Sequence, residues 1–315
     1  MADLGEPMRT SFTGAGTALI TPFTRSGALD EDAVRRLGRR QIDAGIHFLA
    51  PCGTTGENPT LEQSERIRIV EILANEAGGK VPILAGAGGY NTKEVVELVQ
   101  VLTQAGADGF LSVTPYYNKP TQEGLYQHYR TIAESTPLPV VVYNVPSRTG
   151  VNVEVSTLVR LSAIPNIIGV KEASGNMQQM CEVCRAVPPD FIVLSGDDAM
   201  ALPLMAVGGR GVISVVSNEA PAEMVRMIEA AERNDFPAAR ELHHRLLPLM
   251  LVNFVESNPG PVKAAMAAMN LIEEAYRLPI VGPRPESREK ILKALKDIDL
   301  DRGDSVGKVR RGAYA

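Results

Sequence analysis

The 315-residue chain lacks any apolar run of the roughly 18 residues that a bilayer crossing needs, and its first residues, MADLGEPMRTSF, hold no apolar core of a signal peptide. Both absences predict a cytoplasmic chain with no membrane partner. An excess of one charge sign is also lacking. The formal net charge is -5 with acids and bases interspersed, so no basic stripe points to nucleic acid, and a small soluble substrate is expected. Cysteine is scarce at three residues, an odd number that excludes a disulfide framework and agrees with a reducing compartment. Cys181 and Cys184 form a CxxC, but within the helical stretch NMQQMCEVCRAV and with no second Cys or His pair at metal-site spacing. Two core-facing thiols one turn apart are expected there.

What the chain does have is apolar residue, 44% of the total, ample for a substantial core. Short β-branched runs alternate with amphipathic stretches, the pattern of a parallel sheet built from βα units. The strand candidates are TALIT near 17, HFLAP near 47, VPILA near 81, GFLSV near 109, PVVVY near 139, IIGVK near 167, FIVLS near 191 and GVISV near 211. Between them helix ends are legible: Thr60 with Gln63 and Asn91 with Glu94 read as capping boxes, and Gly45 and Gly106 fall where C-terminal glycines belong. The units repeat every 25 to 30 residues or so without a Pro/Gly/Ser-rich linker, which argues for one domain.

Eight βα units in about 230 residues predict an α/β fold, a (β/α)8 TIM barrel, rather than a doubly wound sheet. TPFTRSG after the first strand is no phosphate turn, and Gly86-Ala87-Gly88-Gly89 lacks the spacing of a dinucleotide fingerprint and reads as a tight loop. The barrel is expected over 12–220, with a C-terminal helical appendage over 221–300 packed on it as part of the same domain, and a disordered tail over 301–315.

Barrel chemistry sits at the carboxyl ends of the strands. Lys171 is the strongest signal there, because it closes the apolar run Ile167-Ile168-Gly169-Val170, where a buried strand ordinarily admits no charge. Such an amine either pairs with an acid, Glu172 being adjacent, or gives up its proton on desolvation and attacks a ketone to form an imine. Position alone leaves both open. Its expected neighbours favour the imine. Gly53-Thr54-Thr55-Gly56 offers N–H groups and hydroxyls for a substrate carboxylate. Tyr143, one strand away, can relay protons, and Arg148 can grip a second carboxylate. Taken singly, the loop is a weak signal, a tyrosine at a strand end is more often packing, and a loop arginine is usually only solvated.

Rival chemistries lack their residues. His47 starts strand two on the wrong face, and His128, His243 and His244 fall in helices, so a zinc-dependent aldolase has no ligand set. Asp197 and Asp198 follow strand seven, where many barrels bind phosphate, and would repel it.

From about Gly14 to Asp299 the sequence resembles the dihydrodipicolinate synthase family within the N-acetylneuraminate lyase superfamily. The motifs are GTTGE at 53–57, TPYYNKP at 114–120, YNVPSRTG at 143–150, GVKEASGN at 169–176, LSGDD at 194–198 and GVISV at 211–215, in family order. The resemblance implies that Lys171 forms the imine with pyruvate, that Tyr143 donates and accepts protons, and that Thr54 and Tyr117 complete its relay. Thr55 then holds the pyruvate carboxylate, Gly196 and Ile213 line the pocket through their backbones, and Arg148 binds L-aspartate 4-semialdehyde. It implies a lyase or synthase of lysine and diaminopimelate biosynthesis that needs no cofactor and no metal. Because Tyr117 in this family serves the neighbouring subunit, it also implies a homodimer or homotetramer. Two alternatives share the scaffold: a pyruvate-releasing aldolase for a 2-keto-3-deoxy sugar acid or sialic acid, which has no need of Arg148, and a non-catalytic pyruvate or amino-acid sensor. In the effector cleft of lysine-inhibited members Glu94 and Tyr116 match, whereas Gln63, Arg66 and Tyr90 depart. Lysine inhibition therefore does not carry over by residue match, and inhibition assays with lysine decide it.

Overall fold

The computed structural model describes residues 12–300. Eight parallel strands, β1 (Gly14–Ala18), β2 (Phe48–Ala50), β3 (Leu84–Gly86), β4 (Gly109–Val113), β5 (Val140–Asn144), β6 (Ile167–Glu172), β7 (Ile192–Ser195) and β8 (Gly211–Ser214), lie in the order β2-β1-β8-β7-β6-β5-β4-β3. Between β2 and β3 the ring closes through one parallel bridge, Leu49 with Ile83, and through the Gly86 N–H, which donates to the Pro51 carbonyl at 2.9 Å. The expected (β/α)8 barrel is formed. Two strands start elsewhere than the apolar runs suggest. Pro82 has no N–H to give a ladder, and β3 begins at Leu84. β1 begins at Gly14, in the weakly apolar GAGTA, because its small residues leave room for Phe48. A Cβ on Gly16 would lie 2.1 Å from Phe48 Cε2.

The helices are α1 (Glu31–Asp43), α2 (Gln63–Ala77), α3 (Thr92–Gln104), α4 (Gln122–Glu134), the single turn α5 (Pro146–Thr149), α6 (Val155–Ser162), α7 (Met177–Ala186), α8 (Asp198–Ala206), α9 (Pro221–Glu232), α10 (Phe236–Val252), α11 (Gly260–Ala268) and α12 (Pro285–Asp297). Strand periodicity sorts the apolar side chains into two layers. Phe48, Leu84, Leu111, Val141, Leu194 and Ile213 fill the ring. Leu37, Leu73, Val99, Ile132, Leu158, Val183, Leu204 and Ile228 come from α1, α2, α3, α4, α6, α7, α8 and α9 and pack between ring and helices. α10 packs on α8 and α9, while α11 carries an almost wholly buried face.

Three local readings change. The N-cap of α2 is Glu62 with Glu65 at the third helical position, not Thr60 with Gln63. Thr60 instead ends a 3-10 turn, and Arg277 takes both the Thr60 carbonyl and the Glu65 carboxylate. Asn91 does cap α3, its side chain accepting from the Lys93 N–H, but Glu94 accepts from the Asn91 side-chain amide. On α7 the buried stripe runs through Met180 and Val183, which turns Cys181 to solvent and leaves Cys184 half-buried at its edge, so the two thiols do not both face the core. Gly45 and Gly106 do follow their helices with positive φ, and His128, His243 and His244 lie in helices. The tail over 301–315 lies outside the described residues.

His128 of α4 is buried with its Nδ1 2.8 Å from Thr92 Oγ1, and desolvation pushes its pKa from 6.5 down to about 4. The unfolded chain takes up this proton near pH 6.5 and the folded chain only near 4, so stability is lost as pH falls through that window. Urea melts of the wild-type chain are expected to lose roughly 3 kcal/mol between pH 7 and 4 relative to His128→Gln. A difference that does not vary with pH rejects a neutral buried imidazole.

Candidate active site

The carboxyl ends of the strands gather most of the site residues expected from the sequence, and β6 sets the central one. Its register against β5 steps between Ile167 and Gly169, where an extra residue of β6 is inserted. Such a step reverses the facing of everything beyond it. Val170 consequently packs in the outer layer and Lys171 turns into the ring, where it is 6% exposed. Glu172 faces the other way. Its carboxylate accepts from Asn144 Nδ2 at 3.0 Å, the Ser174 N–H at 2.7 Å and Gln179 Nε2 at 3.2 Å, so it is not the partner of Lys171.

Tyr143 is the register partner of Lys171 on β5, and the amine nitrogen lies 4.3 Å from the centre of its ring. Two adjoining cavities of about 220 and 210 Å³ open there and share Thr54, Tyr143, Val145 and Arg148. The second is lined also by Lys171, Thr55, Gly196, Asp197, Phe254 and Asn258. One cavity system thus unites Lys171, Tyr143, Thr54, Thr55, Arg148 and Gly196. Ile213 sits in the inner layer of the ring, paired with Gly16, and lines neither cavity. Tyr117 also lines neither; it is 92% exposed and has a positive φ of 70°, a costly backbone for tyrosine.

The loop bearing Thr54 and Thr55 is stiffened from within. The Glu57 N–H donates to the Thr54 carbonyl at 3.1 Å, and Thr21 Oγ1 donates to the Gly56 carbonyl at 2.7 Å. Arg148 on α5 reaches the Asn258 carbonyl at 3.4 Å through Nη2. After β7, Asp197 caps α8 and Asp198 is buried, accepting from the Val215 and Val216 N–H groups; desolvation pushes Asp198 up to about 6. Asn258 and Phe254 went unnoticed in the sequence. They reach the cavity from beyond α10, and no local pattern marks them.

A third cavity of about 510 Å³ borders the first through Asn58, Gly88 and Tyr116, and is lined by Gln63, Arg66, Tyr90, Glu94 and Tyr116 together. Tyr90 and Tyr116 meet edge to face there at 5.2 Å, and burial raises the Tyr116 phenol pKa. Among the described residues no group of three or more His, Cys, Asp or Glu is placed to hold a metal ion, and no helix is long and apolar enough to cross a membrane.

The sequence model of the Dihydrodipicolinate synthetase family matches residues 11–298. The chain belongs to that family. It is 54% identical over 281 residues to the 4-hydroxy-tetrahydrodipicolinate synthase of Koribacter versatilis (strain Ellin345), covering 89% of this chain and 94% of that protein. Among solved structures, dihydrodipicolinate synthase from Aquifex aeolicus superposes with a TM-score of 0.90 at 42% identity, over 92% of this chain and 99% of the other. The chloride-inhibited enzyme of Acinetobacter baumannii, solved in complex with pyruvate, matches with a TM-score of 0.90 at 40% identity, over 92% and 100% of the two chains.

The packing explains one of the glycines in the family motifs. A Cβ on Gly196 would lie 2.5 Å from the Ala173 Cβ and 3.0 Å from Lys171 Cε. Gly196→Ala is therefore expected to displace the Lys171 side chain while the chain stays folded; if Lys171 carries the chemistry, the rate falls on the order of 100-fold, because small misplacements are costly at a reacting centre. Steady-state kinetics beside a thermal melt check this, and a wild-type rate rejects it.

Proposed function

We propose that the chain condenses pyruvate with L-aspartate 4-semialdehyde, through a Schiff base on Lys171, to give 4-hydroxy-tetrahydrodipicolinate for lysine and diaminopimelate biosynthesis in the cytoplasm. The observation that carries this reading is Lys171, a buried amine inside the ring that opens on a cavity with Tyr143 in register and Arg148 at its edge. The amine nitrogen attacks the pyruvate ketone and water leaves, forming the imine. Thr55 holds the pyruvate carboxylate, with the backbone of Gly196 flanking it, and Tyr143 moves the protons of these steps. Loss of a methyl proton gives the enamine, which attacks the semialdehyde aldehyde and forms the carbon–carbon bond. Arg148 holds the semialdehyde carboxylate through its planar guanidinium. The substrate's own amine then displaces Lys171 as the ring closes. The protonated imine is the electron sink, so the residues present carry every step.

Tyr117 completes the relay with Thr54 and Tyr143 in a second copy of the chain, which makes the working unit a homodimer or homotetramer. Its exposure away from its own cavity supports this. Mixing Tyr117→Phe chains with Lys171→Ala chains, under conditions that let subunits exchange, is expected to restore activity that neither variant has alone. One site of each mixed pair then holds both native groups. Absence of any recovery despite exchange argues for action in the same chain.

Borohydride reduction in the presence of pyruvate, followed by peptide mass analysis, tests the central step: the adduct is expected on Lys171, and its absence rejects the Schiff base. Product formation from pyruvate with aspartate semialdehyde, set against cleavage of 2-keto-3-deoxy sugar acids, tests the second substrate. Activity with the sugar acids alone rejects it.

A further inference from the structure

Glu57, the last residue of the loop that carries Thr54 and Thr55, forms a salt bridge to Lys263 of α11 with Nζ 2.6 Å from Oε1, both side chains fully enclosed. The Lys263 ammonium also lies 4.3 Å from the centre of the Phe23 ring. Stability does not account for such a pair, since apolar residues of the same volume commonly serve a protein interior as well or better. Its position does. Glu57 holds a left-handed backbone, φ 55°, and its N–H closes the loop on Thr54. A second tie runs parallel to it. Asn258, just before α11, donates from Nδ2 to Thr55 Oγ1 at 2.9 Å and accepts from Arg148 Nη2 at its carbonyl. The stretch that begins α11 therefore grips both residues assigned to carboxylates.

We infer that Glu57, Lys263 and Asn258 are positioning residues. The buried pair and the amide set the Thr55 hydroxyl and the Arg148 guanidinium relative to Lys171, so the helices beyond the barrel complete its site. This rests on the reading that Lys171 takes pyruvate and Thr55 its carboxylate.

The test is the double variant Glu57→Met with Lys263→Met, which removes both charges and keeps their volume. A melting temperature within a few degrees of wild type is expected, together with a pyruvate KM raised on the order of tenfold. Amide exchange over 53–58 should be faster, and the Lys171 adduct should still form at saturating pyruvate. A folded double variant with wild-type KM and wild-type exchange overturns the inference. Should that variant fail to fold, Asn258→Ala decides the matter. Raised KM for both substrates at an unchanged melting temperature supports positioning, and unchanged values reject it. Failure of the wild-type chain itself to form an adduct with pyruvate counts against the proposed function alone, and the exchange measurement over 53–58 still tests whether the pair holds the loop.

Discussion

Lys171→Ala is expected to lose at least about three orders of magnitude in condensation rate, because the amine proposed to form the covalent intermediate is gone and what remains can only bind. Borohydride should trap no adduct with pyruvate, and the melting temperature should stay close to wild type. The unchanged melting temperature follows from the contacts. Lys171 lies against Tyr143 at the cavity wall, and the neighbouring acid, Glu172, is satisfied by Asn144, Ser174 and Gln179 on the opposite face of the strand. Truncating Lys171 therefore leaves no carboxylate of β6 without its donors. A loss of thermal stability as severe as the loss of rate would return Lys171 to a structural role.

Lys263→Met alone is expected to cost about 3–5 kcal/mol of folding stability, since it leaves the Glu57 carboxylate enclosed without its countercharge. Burial lowers the Lys263 pKa and the facing Glu57 opposes that shift, so the two charges stand or fall together. Adding Glu57→Met should recover most of the loss. Urea melts of the two single variants and the double one form a cycle whose coupling measures the pair directly. A single variant within about 1 kcal/mol of wild type would show that water or a neighbouring group replaces the ammonium.

Rate and stability should thus part at two buried lysines of one molecule. Lys171 has no acid partner on its own strand and faces a cavity. Lys263 has an acid at 2.6 Å and faces none of the three cavities described here.

The barrel and most of its mouth are legible in the residues alone. Strand and helix periods are local, eight strands alternating with helical stretches can be counted, and a lysine at the end of an apolar run stands out without any tertiary information. Motif order then placed Thr54, Thr55, Tyr143, Arg148 and Gly196, and the fold brings those residues to one cavity with Lys171. Which way Lys171 faces is set by the folded sheet, because an extra residue in β6 shifts the register and no residue type announces that step. Tertiary packing likewise turned Cys181 outward and left Tyr117 pointing away from its own cavity. The ties from Glu57 to Lys263 and from Thr55 to Asn258 span more than 200 residues of chain. Each end of those ties looks ordinary in its own stretch, and only closure of the ring with α11 packed behind it brings them within hydrogen-bonding reach.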